Sequence, residues 1–101
     1  MTWIDKREEQ DGETLRASLA KYRELKAAGR SRVAEYDNGD DRFGLWLALV
    51  DARISRAYGI GLFDLADWNM YDAYESGSSP AEGAREALES DDTYSALVGG
   101  E

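Results

Sequence analysis

The segment from Phe43 to Tyr58 constrains the fold more than any other part of the chain. Its apolar residues recur at the three- and four-residue spacing of one helical face: Phe43, Leu47, Val50, Ile54 and Ala57. Trp46 and Leu49 widen this stripe until the first two turns are apolar nearly all round. Because such a helix must be covered by other elements, we expect a central helix with Trp46 in the core.

Both ends of this helix carry boundary signals. Asp40 or Asp41 can cap its N-terminus, because a carboxylate accepts the free backbone N–H groups and meets the positive end of the helix dipole. Gly59 can adopt the left-handed conformation that ends a helix. These signals predict a helix over residues 42–58.

A second helix has the clearest start in the chain. Ser79 is suited to the N-cap, Pro80 to the first helical position, and Glu82 to the position that closes a capping box. The pattern predicts a helix over residues 80–89. Its narrow face of Ala81, Ala84 and Leu88 favours close approach to a neighbouring helix.

Two further helices are predicted, at residues 14–28 and 68–76. Asp11 can cap the first, which has a leucine-rich face and ends at Gly29, and Gly77 ends the second. Residues 1–12 form a separate N-terminal anchor in this prediction, with Thr2 as its cap and Gly12 interrupting it.

The connection between residues 30 and 42 contains an Asp-Asn-Gly-Asp-Asp turn at residues 37–41. A hairpin that pairs residues 33–36 with 43–46 is the lesser alternative, because it would consume the start of the best helix. A calcium loop is excluded, since Arg42 and Ala48 occupy the positions that require Gly and Glu. We therefore expect an all-α protein: a small single-domain bundle of about four main helices over residues 1–101, with a flexible tail at 99–101.

The composition narrows the classes of function. The chain has no Cys and no His, so the commonest general base and the usual zinc ligands are missing. No apolar run approaches the roughly 18 uncharged residues of a membrane helix. We expect a cytoplasmic protein that is not an enzyme, needs no cofactor and does not contact a membrane.

The acidic charge is concentrated in one part of the chain. Residues 1–36 contain eight Lys or Arg and seven Asp or Glu, whereas residues 37–101 contain four Arg and fourteen Asp or Glu. An acidic surface repels nucleic-acid phosphates and favours a basic protein partner. A purely solubilising role for this charge is the alternative.

Several short motifs resemble small uncharacterised helical proteins of actinobacteriophages and actinobacteria. They are Asp41-Arg42-Phe43-Gly44-Leu45-Trp46, Asp64-Leu65-Ala66-Asp67-Trp68, Asp72-Ala73-Tyr74, Gly77 and Ser79-Pro80-Ala81-Glu82. The resemblance covers about the second half of the chain. It implies an origin in a phage or other mobile element and no particular chemistry.

The leading functional prediction is a protein-binding module that engages a host protein with a basic surface. Its predicted contact residues are Trp68, Tyr71, Tyr74, Glu75, Glu82, Glu86 and Glu89. An acidic mimic of nucleic acid, directed at a DNA-binding or defence protein, is the second hypothesis. An enzyme that uses Asp64, Asp67, Asp72 and Glu75 is the third, although capping alone explains aspartates at helix starts. Self-association stays open.

Overall fold

The computed structural model describes residues 1–65 and 69–91. These residues form four α-helices, α1 (Trp3–Ala27), α2 (Asp41–Tyr58), α3 (Met70–Glu75) and α4 (Pro80–Glu89), and two 3-10 turns at Arg32–Tyr36 and Leu62–Asp64. They contain no β-strand, so the all-α prediction is confirmed and the hairpin alternative is wrong. The hairpin fails because Asp40 caps α2, accepting the backbone N–H groups of Arg42 and Phe43 at 3.0 and 3.2 Å.

Helix α2 lies at the centre, where it packs against α1, α3, α4 and both 3-10 turns. Trp46 is completely buried, and its indole Nε1 donates to the Ser78 carbonyl at 2.9 Å. Gly59 ends the helix at φ 70°, as predicted. Ala57, the last predicted member of the buried stripe, is exposed, because it lines an open groove between α2 and α4.

The predicted break between the N-terminal anchor and the first long helix is a kink inside α1. Only Asp11 departs from helical geometry, with φ −155° and ψ 70°. Its carboxylate accepts the backbone N–H of Thr14 at 3.2 Å and the hydroxyl of Thr14 at 2.7 Å. The predicted cap at Asp11 is therefore confirmed: α1 contains a short N-terminal helix that begins at Trp3 and a longer helix that begins directly after Asp11. The predicted interruption occurs at Asp11, one residue before Gly12.

The turn between α1 and α2 is held by one buried carboxylate. Asp37 is 3% exposed and accepts hydrogen bonds from the Tyr22 hydroxyl at 2.8 Å, Lys26 Nζ at 2.6 Å and the Gly39 backbone N–H at 2.9 Å. Gly44 makes this arrangement possible, because a Cβ atom there would collide with the Tyr22 hydroxyl. A glycine inside a helix costs about 1 kcal/mol of stability relative to alanine. Here Gly44 is needed all the same, because only a residue without a Cβ atom lets α1 and α2 approach this closely.

Helix α4 sits close against α2, and two of the three residues of its predicted face, Ala84 and Leu88, are buried. Its buried residues are Pro80, Gly83, Ala84, Ala87 and Leu88, whereas Ala81 is exposed. A Cβ atom at Gly83 would come within 2.8 Å of the Trp46 ring, so this position allows the two helices to touch. The capping box is confirmed: Ser79 Oγ accepts the Glu82 N–H at 3.1 Å, and the Glu82 carboxylate accepts the Ser79 N–H at 2.9 Å.

Helix α3 is shorter than predicted. Asn69 is its N-cap, since its side-chain oxygen accepts the Asp72 N–H at 3.3 Å, and the helix ends before Gly77, which has φ 94°. The predicted start at residue 68 lies outside the described residues. Within the described part of the chain, no helix combines the length and apolar character needed to span a membrane.

Candidate partner-binding surface

Helix α3 turns one side to the core and the other to solvent. Ala73 and Tyr74 are buried, while Tyr71, Asp72 and Glu75 are exposed. The Tyr71 side chain is 40% exposed, and its ring meets the buried Phe43 ring edge-on with 5.0 Å between the centroids. The Tyr71 ring therefore rests on the core at its contact with Phe43 and is accessible to a partner on its solvent side.

Tyr74 does not share this exposure. It is 5% exposed, with its ring 5.1 Å from that of Phe43 and 5.7 Å from that of Trp46. Burial raises the pKa of its hydroxyl above the ordinary value. The expectation that Tyr74 contacts a partner is thus corrected: it belongs to the core, because its ring packs against the buried rings of Phe43 and Trp46. Trp68, the other predicted aromatic contact, lies outside the described residues.

The four predicted glutamates are all exposed, but they differ in how their carboxylates are used. Glu82 closes the capping box, and the hydrogen bond from the Ser79 backbone lowers its pKa. Glu89 accepts from Arg85 Nε at 3.0 Å. Glu75 and Glu86 have no ion pair or side-chain hydrogen bond with any of the residues described. These two carboxylates are the members of the set that remain available to a partner.

Carboxylates near the start of α2 are already engaged within the protein. Arg42 stands in the first turn of α2, where the helix dipole disfavours a cation. Although burial opposes its charge, hydrogen bonds to Asp5 at 2.7 Å and to Glu8 at 3.3 Å raise its pKa. Asp41 accepts from Arg23 at 2.8 Å and from Lys26 at 3.2 Å. Sequence reasoning missed this cluster, because its partners come from different helices.

Comparison with known proteins identifies two mycobacteriophage relatives. The "Gene 87 protein" of Mycobacterium phage D29 is 41% identical over 46 residues, which are 46% of this chain and 85% of that protein. This chain belongs to the gene 87 protein family of mycobacteriophages. The "Gene 87 protein" of Mycobacterium phage L5 is 37% identical over 46 residues, or 46% of this chain and 87% of that protein. The predicted phage origin of this small protein is confirmed.

The matched part of the gene 87 family is nearly the whole of each relative but less than half of this chain. The names of these relatives state neither an activity nor a partner. No family model and no solved structure matches this chain.

Two of the four carboxylates considered for catalysis have ordinary structural contacts in this gene 87 family member. Asp64 accepts the Gly61 backbone N–H at 2.8 Å, and Asp72 accepts from the Asn69 amide at 2.7 Å. Asp67 lies outside the described residues. Across residues 1–65 and 69–91, no group of three or more acidic side chains is placed to hold a metal ion.

Proposed function

We propose that this protein is a non-enzymatic binding module that engages a basic surface of a host protein through α3 and α4. The observation that carries this proposal is the accessible ring of Tyr71, 40% exposed and seated on Phe43. The partner lies in the host cytoplasm, in keeping with the phage relatives.

Tyr71 has the properties of an interface anchor. Tyrosine is enriched at the energetically dominant positions of interfaces, because its ring buries a large area and fixes only two side-chain torsions. The edge-on contact with Phe43 and the 6.1 Å centroid distance to Tyr74 already limit the orientations of the ring. The Tyr71 side chain therefore loses little conformational freedom on binding, which keeps the entropic cost of binding low.

The exposed acids of α3 and α4 support a basic partner. Glu75 lies on the same helix and Glu86 on α4, both exposed. Opposite charges on two surfaces raise the rate of encounter more than they raise the final affinity. The glutamates accordingly govern association, whereas Tyr71 governs dissociation.

The distribution of acids argues against the nucleic-acid mimic. Asp11, Asp40 and Glu82 cap helices, and Asp37 and Asp41 form ion pairs within the protein. A mimic needs a ladder of free carboxylates along one extended face. Scattered caps and internal pairs instead suit a folded module with a local contact patch.

The test uses purified protein immobilised for capture from a bacterial host lysate, followed by binding kinetics with each purified candidate. Tyr71→Ala should speed dissociation on the order of tenfold or more. Tyr36→Ala is the matched control, because Tyr36 is 46% exposed and lies on the 3-10 turn before α2. The proposal would be contradicted if both variants lost affinity for the partner equally, or if neither variant lost affinity.

The electrostatic part is tested with Glu75→Lys/Glu86→Lys, which disturbs neither the capping box of Glu82 nor the Arg85–Glu89 pair. Association should slow on the order of tenfold and become less sensitive to salt. Glu9→Lys/Glu13→Lys changes the net charge by the same amount on exposed positions of α1. Equal slowing by both pairs would show that only net charge matters and that this patch is not the contact surface.

A further inference from the structure

A shallow groove runs along the seam between α2 and α4, on residues that the proposed function does not use. It consists of two adjoining depressions of about 360 and 220 Å³, which share Arg53 and Ala81. Its floor is formed by small or apolar side chains: Leu49, Ala52, Ala57, Ala81, Ala84 and Leu88. The groove is thus continuous and apolar at its base.

The groove arises from the way the two helices approach. Gly83 brings α4 against the Trp46 ring, so the helices are in contact beneath the groove. Above this contact, alanines at positions 52, 57 and 81 leave space that longer side chains would fill. An aliphatic side chain entering from outside would meet apolar surface there and would be removed from water.

Arginines border this apolar floor. Arg53 and Arg56 are exposed, and neither forms an ion pair with the described residues. Among the residues that the structure describes, Arg85, on the opposite wall, pairs only with the exposed Glu89. The helix dipole favours cations in the last turns of α2, but it leaves the guanidinium donors free to bind a planar carboxylate. Three arginines therefore border the groove in a chain of net charge −9.

We propose that this groove binds an amphipathic helix of a second partner protein, with apolar side chains on one face and carboxylates along its edges. The walls run from about residue 49 to 58 on α2, roughly 14 Å at 1.5 Å per residue, which accommodates between two and three helical turns. Apolar anchors fill the floor, and the edge carboxylates pair with Arg53, Arg56 and Arg85. Duplex nucleic acid fits less well, because phosphates gain nothing from an apolar floor and the acidic protein repels them.

The experiment uses a synthetic amphipathic peptide of about 14 residues, a length that spans the groove with a turn to spare. It has Leu and Ala on one face and Glu along both edges. A second peptide replaces every Glu by Gln. Fluorescence anisotropy with the full-length protein should show the Glu peptide binding on the order of tenfold more tightly than the Gln peptide.

Two charge-matched variants locate the binding. Arg53→Glu/Arg56→Glu should remove the preference for the Glu peptide, whereas Arg16→Glu/Lys21→Glu, which makes the same charge change on exposed positions of α1, should keep it. Circular dichroism verifies that both variants are folded. Equal loss in the two variants overturns the proposal, as does a DNA duplex of about 20 base pairs that binds more tightly than the Glu peptide.

Amide chemical shifts give a readout that does not depend on substitution. The Glu peptide should shift the amides of residues 49–58 and 81–88, and shifts confined to other parts of the chain would overturn the proposal. Tyr71→Ala should bind this peptide as the wild type does, since Tyr71 does not line the groove. Failure of this site and failure of the Tyr71 surface are therefore distinguishable.

Discussion

Two regions that pack against α2 use acidic residues in opposite ways. Where α1 meets the start of α2, Asp5, Asp37 and Asp41 are bound to cations or backbone groups of the protein itself. On the outer side of α3 and α4, Glu75 and Glu86 point into solvent without such partners among the described residues. The same residue class is structural in one region and available for binding in the other.

This difference arises from where the cations lie. Residues 1–36 carry eight of the twelve Lys and Arg residues, and α1 delivers Arg23 and Lys26 to the aspartates at residues 37–41. Helices α3 and α4 have little such compensation. Net charge alone therefore does not reveal which carboxylates can reach a partner; the position of the nearest cation does.

The largest effect is expected in the core beneath α4. Trp46→Ala should lower the free energy of unfolding by about 3 to 5 kcal/mol, because it leaves a cavity and deprives the Ser78 carbonyl of its donor. Urea unfolding followed by circular dichroism measures this change. Trp3→Ala, at a partly buried tryptophan of α1, is the control and should cost less. Equal costs would mean that α2 is not the centre of the fold.

Asp37→Asn tests the structural region directly. The substitution keeps the size of the side chain but removes the charge that Lys26 pairs with, so we expect a loss of about 2 kcal/mol in unfolding free energy. Glu35→Gln, two residues away on an exposed position, should change stability by less than about 0.5 kcal/mol. If Asp37→Asn lowered the unfolding free energy no more than Glu35→Gln does, the distinction between the two regions would be removed.

Acid should weaken the same region. Burial opposes ionisation of Asp37, but hydrogen bonds from Lys26, Tyr22 and the Gly39 backbone lower its pKa below the ordinary 3.8. Hydrogen bonds from Arg23 and Lys26 likewise lower the pKa of Asp41. Because the folded state holds these protons less tightly than the unfolded state, stability is full above pH 3.8 and declines as the pH falls through the lower folded pKa values. Unfolding free energies measured across this range should decline less steeply in Asp37→Asn, and identical slopes would contradict the assignment.

Ser79→Ala should cost about 1 kcal/mol, since α4 loses the hydroxyl that accepts the Glu82 N–H. Ser31 provides the comparison, because it precedes the first 3-10 turn without making a side-chain capping bond. Ser31→Ala should be close to neutral in the same thermal-unfolding assay. Similar losses in both variants would indicate that the capping bond of Ser79 contributes nothing specific.

The smallest effect is expected for Glu75→Gln/Glu86→Gln. Because these side chains are exposed and unpaired with the described residues, stability should change by less than about 0.5 kcal/mol. Chemical denaturation of this variant and of Asp37→Asn, measured side by side, compares their losses in unfolding free energy. A loss comparable with that of Asp37→Asn would show that the two acids hold the fold together and are not free for a partner.

Local signals were predictable because the groups involved are close in sequence. Asp40, Gly59 and the Ser79–Glu82 capping box act on backbone atoms within about four residues, so their chemistry is visible in the amino-acid order itself. The burial of Trp46 was predictable in the same way, since a helix that is apolar nearly all round must be covered by other elements. The helix class and most helix ends were therefore determined by the sequence.

The tertiary structure decided which side chains are buried or bound within the protein and which are exposed to a partner. Tyr71 and Tyr74 are both tyrosines of one short helix, yet contact with Phe43 and Trp46 buries only Tyr74. Asp37 looked like a turn residue, but Tyr22 reaches it from 15 positions away and makes it a buried anchor. Burial and ion pairing depend on segments that are distant along the chain, so they become visible only when the packing of α1, α2, α3 and α4 is known.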